Sequence, residues 1–331
     1  MVITKTPFRI SFFGGGTDIP LWFRENGGSV LSVTIDKYCY ISCRHLPKFF
    51  DHKYRFVYSQ IETLTEIEDI KHPSIKAVMN WMNWNEGLEV HHDGDLPARS
   101  GLGSSSSFTV GLINALNALQ GKYSSKKELA LNAIHVEQNI IKEAVGSQDQ
   151  VAAAYGGLNR IDFFGENSIS VSPVILPKLR IEELQGHLLL FFTGVSRFAS
   201  EIETVKMQNF VNKKHELTKM GEMVSEAISI LSDSKKDIND FGLLLKEGWE
   251  YKKSLSSNVS NSEIDFIYEA AIKEGATGGK ILGAGGGGFI LFFAPPDKHS
   301  NIIEKLGHLT HVPFKFEYDG SSVVLYQPNG L

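Results

Sequence analysis

Cysteine is nearly absent: two residues in 331, Cys39 and Cys43. Their spacing is neither a CxxC pair nor a disulfide framework, so redox chemistry, a structural zinc and a secreted scaffold are all unexpected. Long apolar runs are lacking too. Stretches such as 188–192 and 289–294 fall far short of the ~20 residues of a membrane-spanning helix, so no membrane partner is expected. The N-terminus, MVITKTPFRIS, has no basic and apolar export signal, which makes the cytoplasm the expected compartment. Positive charge is not in excess. With 33 Lys and Arg against 38 Asp and Glu, the net charge of −5 argues against a nucleic-acid surface. Proline is scarce at 11 residues, and 42% of the chain is hydrophobic, which excludes collagen-like and disordered readings.

Glycine is what the sequence has, and it is unevenly placed. Thirteen of the 31 glycines lie in three short segments: Gly14 to Gly16, Gly101 with Gly103, and eight within 275–288. The length suggests two lobes, since one core rarely serves more than ~250 to 300 residues. Strands are expected at 4–13, 29–33, 38–44 and 88–92, the first breaking into the turn GGGTD. The run PARSGLGSSSS (97–107) leads into a helix with apolar residues at Phe108, Leu112, Ile113, Leu116 and Leu119, closed by Gly121. Helices at 126–144 and 147–155 follow, and the Pro-containing stretch 171–177 marks the lobe boundary. Beyond it the pattern predicts a strand at 187–193 and helices at 199–231, 235–256 and 262–274. The strand 289–293, a helix at 297–306 and strands at 312–316 and 322–326 complete the chain.

Glycine lets backbone N–H groups approach a ligand closely, and a helix N-terminus adds unpaired donors with partial positive charge. Phosphate is the natural guest, and the serine hydroxyls at 104–107 could reach a bridging magnesium ion; as ordinary helix caps, Ser104 and Ser105 would need no ligand at all. Known glycine motifs do not account for the loops. Gly279-Lys280 is followed by Ile281 and preceded at the Walker position by Glu274, so it is no P-loop. Gly283, Gly285 and Gly288 match G-x-G-x-x-G, but a strand follows where a dinucleotide site requires a helix. The HRD of the protein kinases does not occur, so the one DFG, at 240–242, stands without its catalytic-loop partner.

The three segments in order, TPFRISFFGGGTD (6–18), LPARSGLGSSSS (96–107) and KILGAGGGG (280–288), resemble the three motifs of the GHMP kinases, the galactokinase, homoserine, mevalonate and phosphomevalonate kinase family. The resemblance spans residue 5 to about 300. It implies an α+β fold of two lobes, a ribosomal protein S5 domain 2-like ATP-binding lobe over 1–172 and a ferredoxin-like lobe over 173–331. It also implies an ATP- and Mg2+-dependent phosphotransferase acting on an alcohol group. The GGGTD and SGLGSSSS variants are most similar to members that phosphorylate the anomeric hydroxyl of a heptose 7-phosphate on the way to nucleotide-activated heptose. Fucokinase-like or galactokinase-like activity is the alternative. A sensor without activity on the same fold is less expected, because Arg9, Ser105, Glu137 and Asp149 are all retained.

Residue by residue, the resemblance assigns Ser100, Gly101, Leu102, Gly103, Ser104, Ser105 and Ser106 to the ATP phosphates, and Ser105 with Glu137 to magnesium. Asp149, in VGSQDQ, takes the place of the base for the acceptor hydroxyl, and Arg9 that of a group stabilising charge on the transferred phosphoryl. Asp18, with Gly15, Gly16 and Thr17, is assigned to the sugar, and Gly286 to closure of the site. Arg99, where many members have glycine, and Arg197 are cations suited to a substrate phosphate, as is Lys280. Trp81 and Trp84 are candidates to flank adenine. His91-His92-Asp93 is read as a polar strand end rather than a metal site, because adjacent strand residues face opposite ways. Oligomeric state is not legible, and a homo-oligomer is compatible with the sequence.

Overall fold

The computed structural model describes residues 1–98, 100–166, 168–194 and 213–328. In the first half the strands are β1 (Val2–Phe13), β2 (Gly28–His45), β3 (Tyr54–Val57), β4 (Ile61–Leu64), β5 (Leu88–Gly94), β6 (Leu158–Phe164) and β7 (Ser168–Pro173). In the second half they are β8 (Leu188–Phe192), β9 (Gly278–Ile281), β10 (Phe289–Phe293), β11 (Thr310–His311), β12 (Phe316–Glu317) and β13 (Ser322–Tyr326).

The first sheet runs β13-β1-β2-β5-β3-β4, with β6 and β12 also on β2 and β7 on β6. Its spine is β2, a single long strand where the sequence predicts two. The register jumps from Pro7 opposite Tyr38 to Phe8 opposite Ile35, so Asp36 and Lys37 bulge from a continuous ladder instead of ending it. The helix Ser104–Leu119 lies on β1 and β2, buried at every position from Ser106 to Leu116. Its close approach depends on Gly111, whose carbonyl accepts from Thr4 Oγ1 at 3.0 Å.

The second sheet, β11-β8-β10-β9, is antiparallel throughout. Its βαββαβ succession is the ferredoxin-like one, with the helices Lys214–Ser232, Asn239–Ser254 and Ser262–Lys273 filling the first crossover. One apolar core runs through both lobes, and a second cluster fills the far face of this sheet. At the junction, Phe241 meets Phe12 and Phe13 edge to face at 5.4 and 5.1 Å, contacts that add about 0.5–1.5 kcal/mol each to simple burial. Phe12 and Phe13 immediately precede Gly14, so this clamp sets where the first glycine turn begins.

The expected division at 172/173 needs correction at its far end. β12 and β13 do not stay with the second lobe: they pair antiparallel with β2 and β1. An edge strand as long as β1 offers a row of open backbone groups, and the last strand covers part of it. Among the described residues no helix is long and apolar enough to cross a membrane.

Candidate active site

The three glycine loops meet around a cavity of about 320 Å³. The helix Ser104–Leu119 starts directly after Gly103, which sits at φ 75° in the left-handed region, and no side chain caps it. Ser104 and Ser105 are therefore helical residues rather than caps, and they begin a helix N-terminus of the kind that favours an anion. Behind them the loops touch backbone to backbone. A Cβ on Gly101 would stand 2.5 Å from the Leu282 carbonyl oxygen, and one on Gly283 2.5 Å from Gly101 Cα. Phe289 N donates to Ser100 O at 3.0 Å across the same seam.

Arg9, buried in β1, reaches under this loop. Its Nε and Nη2 donate to the two carboxylate oxygens of Asp149 at 2.7 Å each, and Nη1 donates to Gly101 O at 2.7 Å. The bidentate fork fixes both groups. Asp149 sits in the first turn of the helix Gln148–Tyr155, its side chain 26% exposed to the cavity against 5% for Arg9.

Glu137 is 1% exposed and lies in a π-helical stretch, His135–Ile141, not in one helix over 126–144 as its sequence pattern predicts. The α-helix ends at Ile134, and the wider turn carries Glu137 into the cavity wall; such segments recur at functional sites. Ser106 Oγ donates to Glu137 Oε2 at 2.9 Å and Gln150 Nε2 donates to the same oxygen, while Oε1 has no hydrogen-bond partner among the described residues. Burial pushes the carboxyl up to about 7, with Thr109, Gln150 and Ser106 pulling the other way and Glu143 adding repulsion. The hydroxyl that reaches Glu137 is thus that of Ser106. Ser105, expected with Glu137 at magnesium, is exposed and lines the cavity.

Asp18 is held by backbone amides on both sides, accepting from Gly16 N at 2.9 Å and from Gln148 N at 3.2 Å. Gly146 is required beside it, since a Cβ there would fall 1.9 Å from Asp18 Oδ2. Gly15, Gly16 and Asp18 line the cavity. Thr17 does not: it is buried, its hydroxyl donating to Gly14 O and Ser29 O at 2.7 and 2.9 Å. Ser100 and Leu102 also lie behind the loop. Ser100 Oγ donates to Pro97 O, and Leu102, fully buried, accepts from Arg9 N. Gly286 N donates to Val259 O, so the third loop faces the cavity through Gly283 and Ala284 instead.

Arg99 and Arg197 lie outside the described residues. Trp84 is a core residue stacked on His45. His91 bonds to Glu89, and His92 packs against Phe108. Sequence reasoning missed Gln150, Glu143 and Lys252. For Gln150 a signal was available, because in a helix starting at Gln148 it falls one position after Asp149 on the inward side.

Residues 70–157 match the family model for the GHMP kinases N terminal domain, and residues 224–309 that for GHMP kinases C terminal. The chain is 34% identical over 320 residues to the D-glycero-alpha-D-manno-heptose 7-phosphate kinase of Campylobacter jejuni, with 92% of each chain covered. It is 24% identical to the galactokinase of Pyrococcus furiosus over 100% of this chain and 99% of that one. Among solved structures, a D-glycero-D-manno-heptose 1-phosphate kinase from Bacteroides thetaiotaomicron shares the fold with a TM-score of 0.78 at 24% identity, over 97% of this chain and 98% of that one.

Proposed function

The chain belongs to the GHMP kinases and is a phosphotransferase with an alcohol group as acceptor, and from that premise we propose that it phosphorylates the anomeric hydroxyl of D-glycero-D-manno-heptose 7-phosphate with ATP. The observation that carries the chemistry is the Arg9–Asp149 pair set beside an uncapped helix N-terminus. Phosphoryl transfer asks mainly for position and charge stabilisation, and the cavity offers both. The ATP phosphates lie on the amides of 101–106. The sugar lies against Gly15, Gly16 and Asp18, with C1 toward Asp149. The C1 oxygen attacks the γ-phosphorus, the bond to the β,γ-bridging oxygen breaks, and the hydroxyl proton passes to an Asp149 oxygen, whose lone pairs are not exhausted by Arg9. Arg9 holds that carboxylate in line and places positive charge beside the transferred group.

Magnesium fits the same wall. Glu137 and Ser106, with Ser105 lining the cavity, are hard oxygen donors, and the buried, unmatched Glu137 Oε1 suits a cation that takes one carboxylate plus substrate phosphates. When bound, the ion neutralises phosphate charge. Ser106 and Gln150 orient the carboxylate for it.

The acceptor rests on the 34% identical relative, and the galactokinase relative keeps another sugar-1-kinase as the second reading. ADP release measured across heptose 7-phosphate, fucose, galactose and mevalonate tests both. Fastest turnover is expected with heptose 7-phosphate. Preference for fucose or galactose would move the protein to the second reading, and no turnover with any sugar would sink both.

A further inference from the structure

The second lobe contributes two lysines to the cavity wall, Lys252 from the helix Asn239–Ser254 and Lys280 from β9. They are 6% and 7% exposed, unusual for a side chain that normally carries its charge to water. Main-chain carbonyls fix both ammonium groups. Lys252 Nζ donates to Ile281 O and Gly283 O at 2.6 Å each, and Lys280 Nζ donates to Phe12 O at 2.7 Å. Each thus stands at a glycine loop, Lys252 at the third and Lys280 at the start of the first.

The charge requirement of the cavity points to their use. The donor phosphates have the helix N-terminus at Ser104. Arg9 is committed through Nε, Nη1 and Nη2 to Asp149 and Gly101. An acceptor with its own phosphate brings a second dianion into the same 320 Å³ cavity, and a lysine ammonium binds phosphate well as a point charge without demanding a planar fork. We propose that Lys252 and Lys280 form the subsite for the phosphate carried by the acceptor sugar, and so determine the preference for a phosphorylated sugar over the same sugar without phosphate. The assignment rests on the heptose 7-phosphate reading above. Because the carbonyls hold both ammonium groups in place beforehand, little side-chain freedom is lost on binding.

The test compares kcat/KM on D-glycero-D-manno-heptose 7-phosphate with that on D-glycero-D-manno-heptose, in the unaltered enzyme and in Lys252→Met, Lys280→Met and the two Lys→Arg variants. The ratio should favour the phosphorylated sugar in the unaltered enzyme and fall about 10- to 100-fold in each Met variant, as expected for loss of a charge-assisted phosphate contact. Arg should restore much of it. Equal losses on both acceptors, or a rise confined to the KM for ATP, would overturn the subsite. Inorganic phosphate gives a readout independent of variant folding: it should compete with heptose 7-phosphate, and competition against ATP alone would overturn the proposal. An unaltered enzyme without preference for the phosphorylated sugar refutes the heptose 7-phosphate reading itself. A preference that survives both Met variants refutes only the lysine assignment.

Discussion

Two buried glutamates, Glu89 on the first sheet and Glu137 in the cleft, show how a carboxylate declares its purpose. Glu89 is surrounded by cations: Arg44 Nε donates to it at 2.6 Å, Arg55 Nη1 donates to its other oxygen, and His91 Nε2 lies at 3.0 Å. Burial works against its charge, but His91, Arg55 and Arg44 outweigh it and hold the carboxyl down to about 2. Glu137, at least as deeply buried, is bonded by a serine and a glutamine, and burial raises it to about 7. The first site is complete within the protein. The second, in the reading proposed above, is prepared for a cation that arrives with substrate, and strongly perturbed groups in clefts are where function concentrates.

The sharpest way to break this contrast is through the cleft. Asp149→Asn should lower kcat about 10³-fold, as for loss of a positioned base, with nucleotide affinity retained in a binding titration. A near-normal rate would remove Asp149 from that role. Glu137→Gln should lower turnover on the order of 10²-fold, through lost charge organisation at the phosphates. Raising magnesium should recover part of it, and indifference to magnesium would count against Glu137 as its ligand. Glu89→Gln should leave kcat unchanged and cost about 1–3 kcal/mol in denaturant unfolding, the modest figure reflecting Arg44 and Arg55 being over a third exposed.

The smallest effect is one of sign, read from unfolding free energies against pH without ligand. The folded carboxyl of Glu89 lies below its ordinary 4.5, so its stabilisation is present above 4.5 and lost as pH falls toward 2. That of Glu137 lies above 4.5, so its contribution is fully present below 4.5 and lost as pH rises toward 7. Glu89→Gln should flatten the acid limb and Glu137→Gln the limb between 4.5 and 7. If both variants altered the same limb, the two carboxylates would not differ as described.

Local chemistry was legible in the sequence, and distant geometry was not. Left-handed glycines have few substitutes, so the loops at 14–16, 101–103 and 283–288 stand out, and Arg9 and Asp149 follow from the motif order. That Ser106 is the serine bonded to Glu137 depends on where the helix starts and on how far the π-helical turn rotates Glu137. Neither leaves a pattern in composition. Lys252, next to Lys253 in the last turn of its helix, reads as an ordinary dipole-compensating cation, and only the fold of the β9–β10 loop brings carbonyls to it. β2 reads as two strands because Asp36 and Lys37 are poor strand formers, and the pairing that carries the ladder past them is tertiary.

The pairing of β13 with β1 reaches beyond the cleft to the way the chain is made. A ribosome delivers β1 first and β13 last, so the outer edge of β1 stays open while residues 14–321 are synthesised. Long-range pairings of this kind slow folding, and an uncovered edge invites partners in the meantime. A fragment cut at the apparent lobe boundary would keep that edge uncovered, although it would hold Arg9, Glu137 and Asp149.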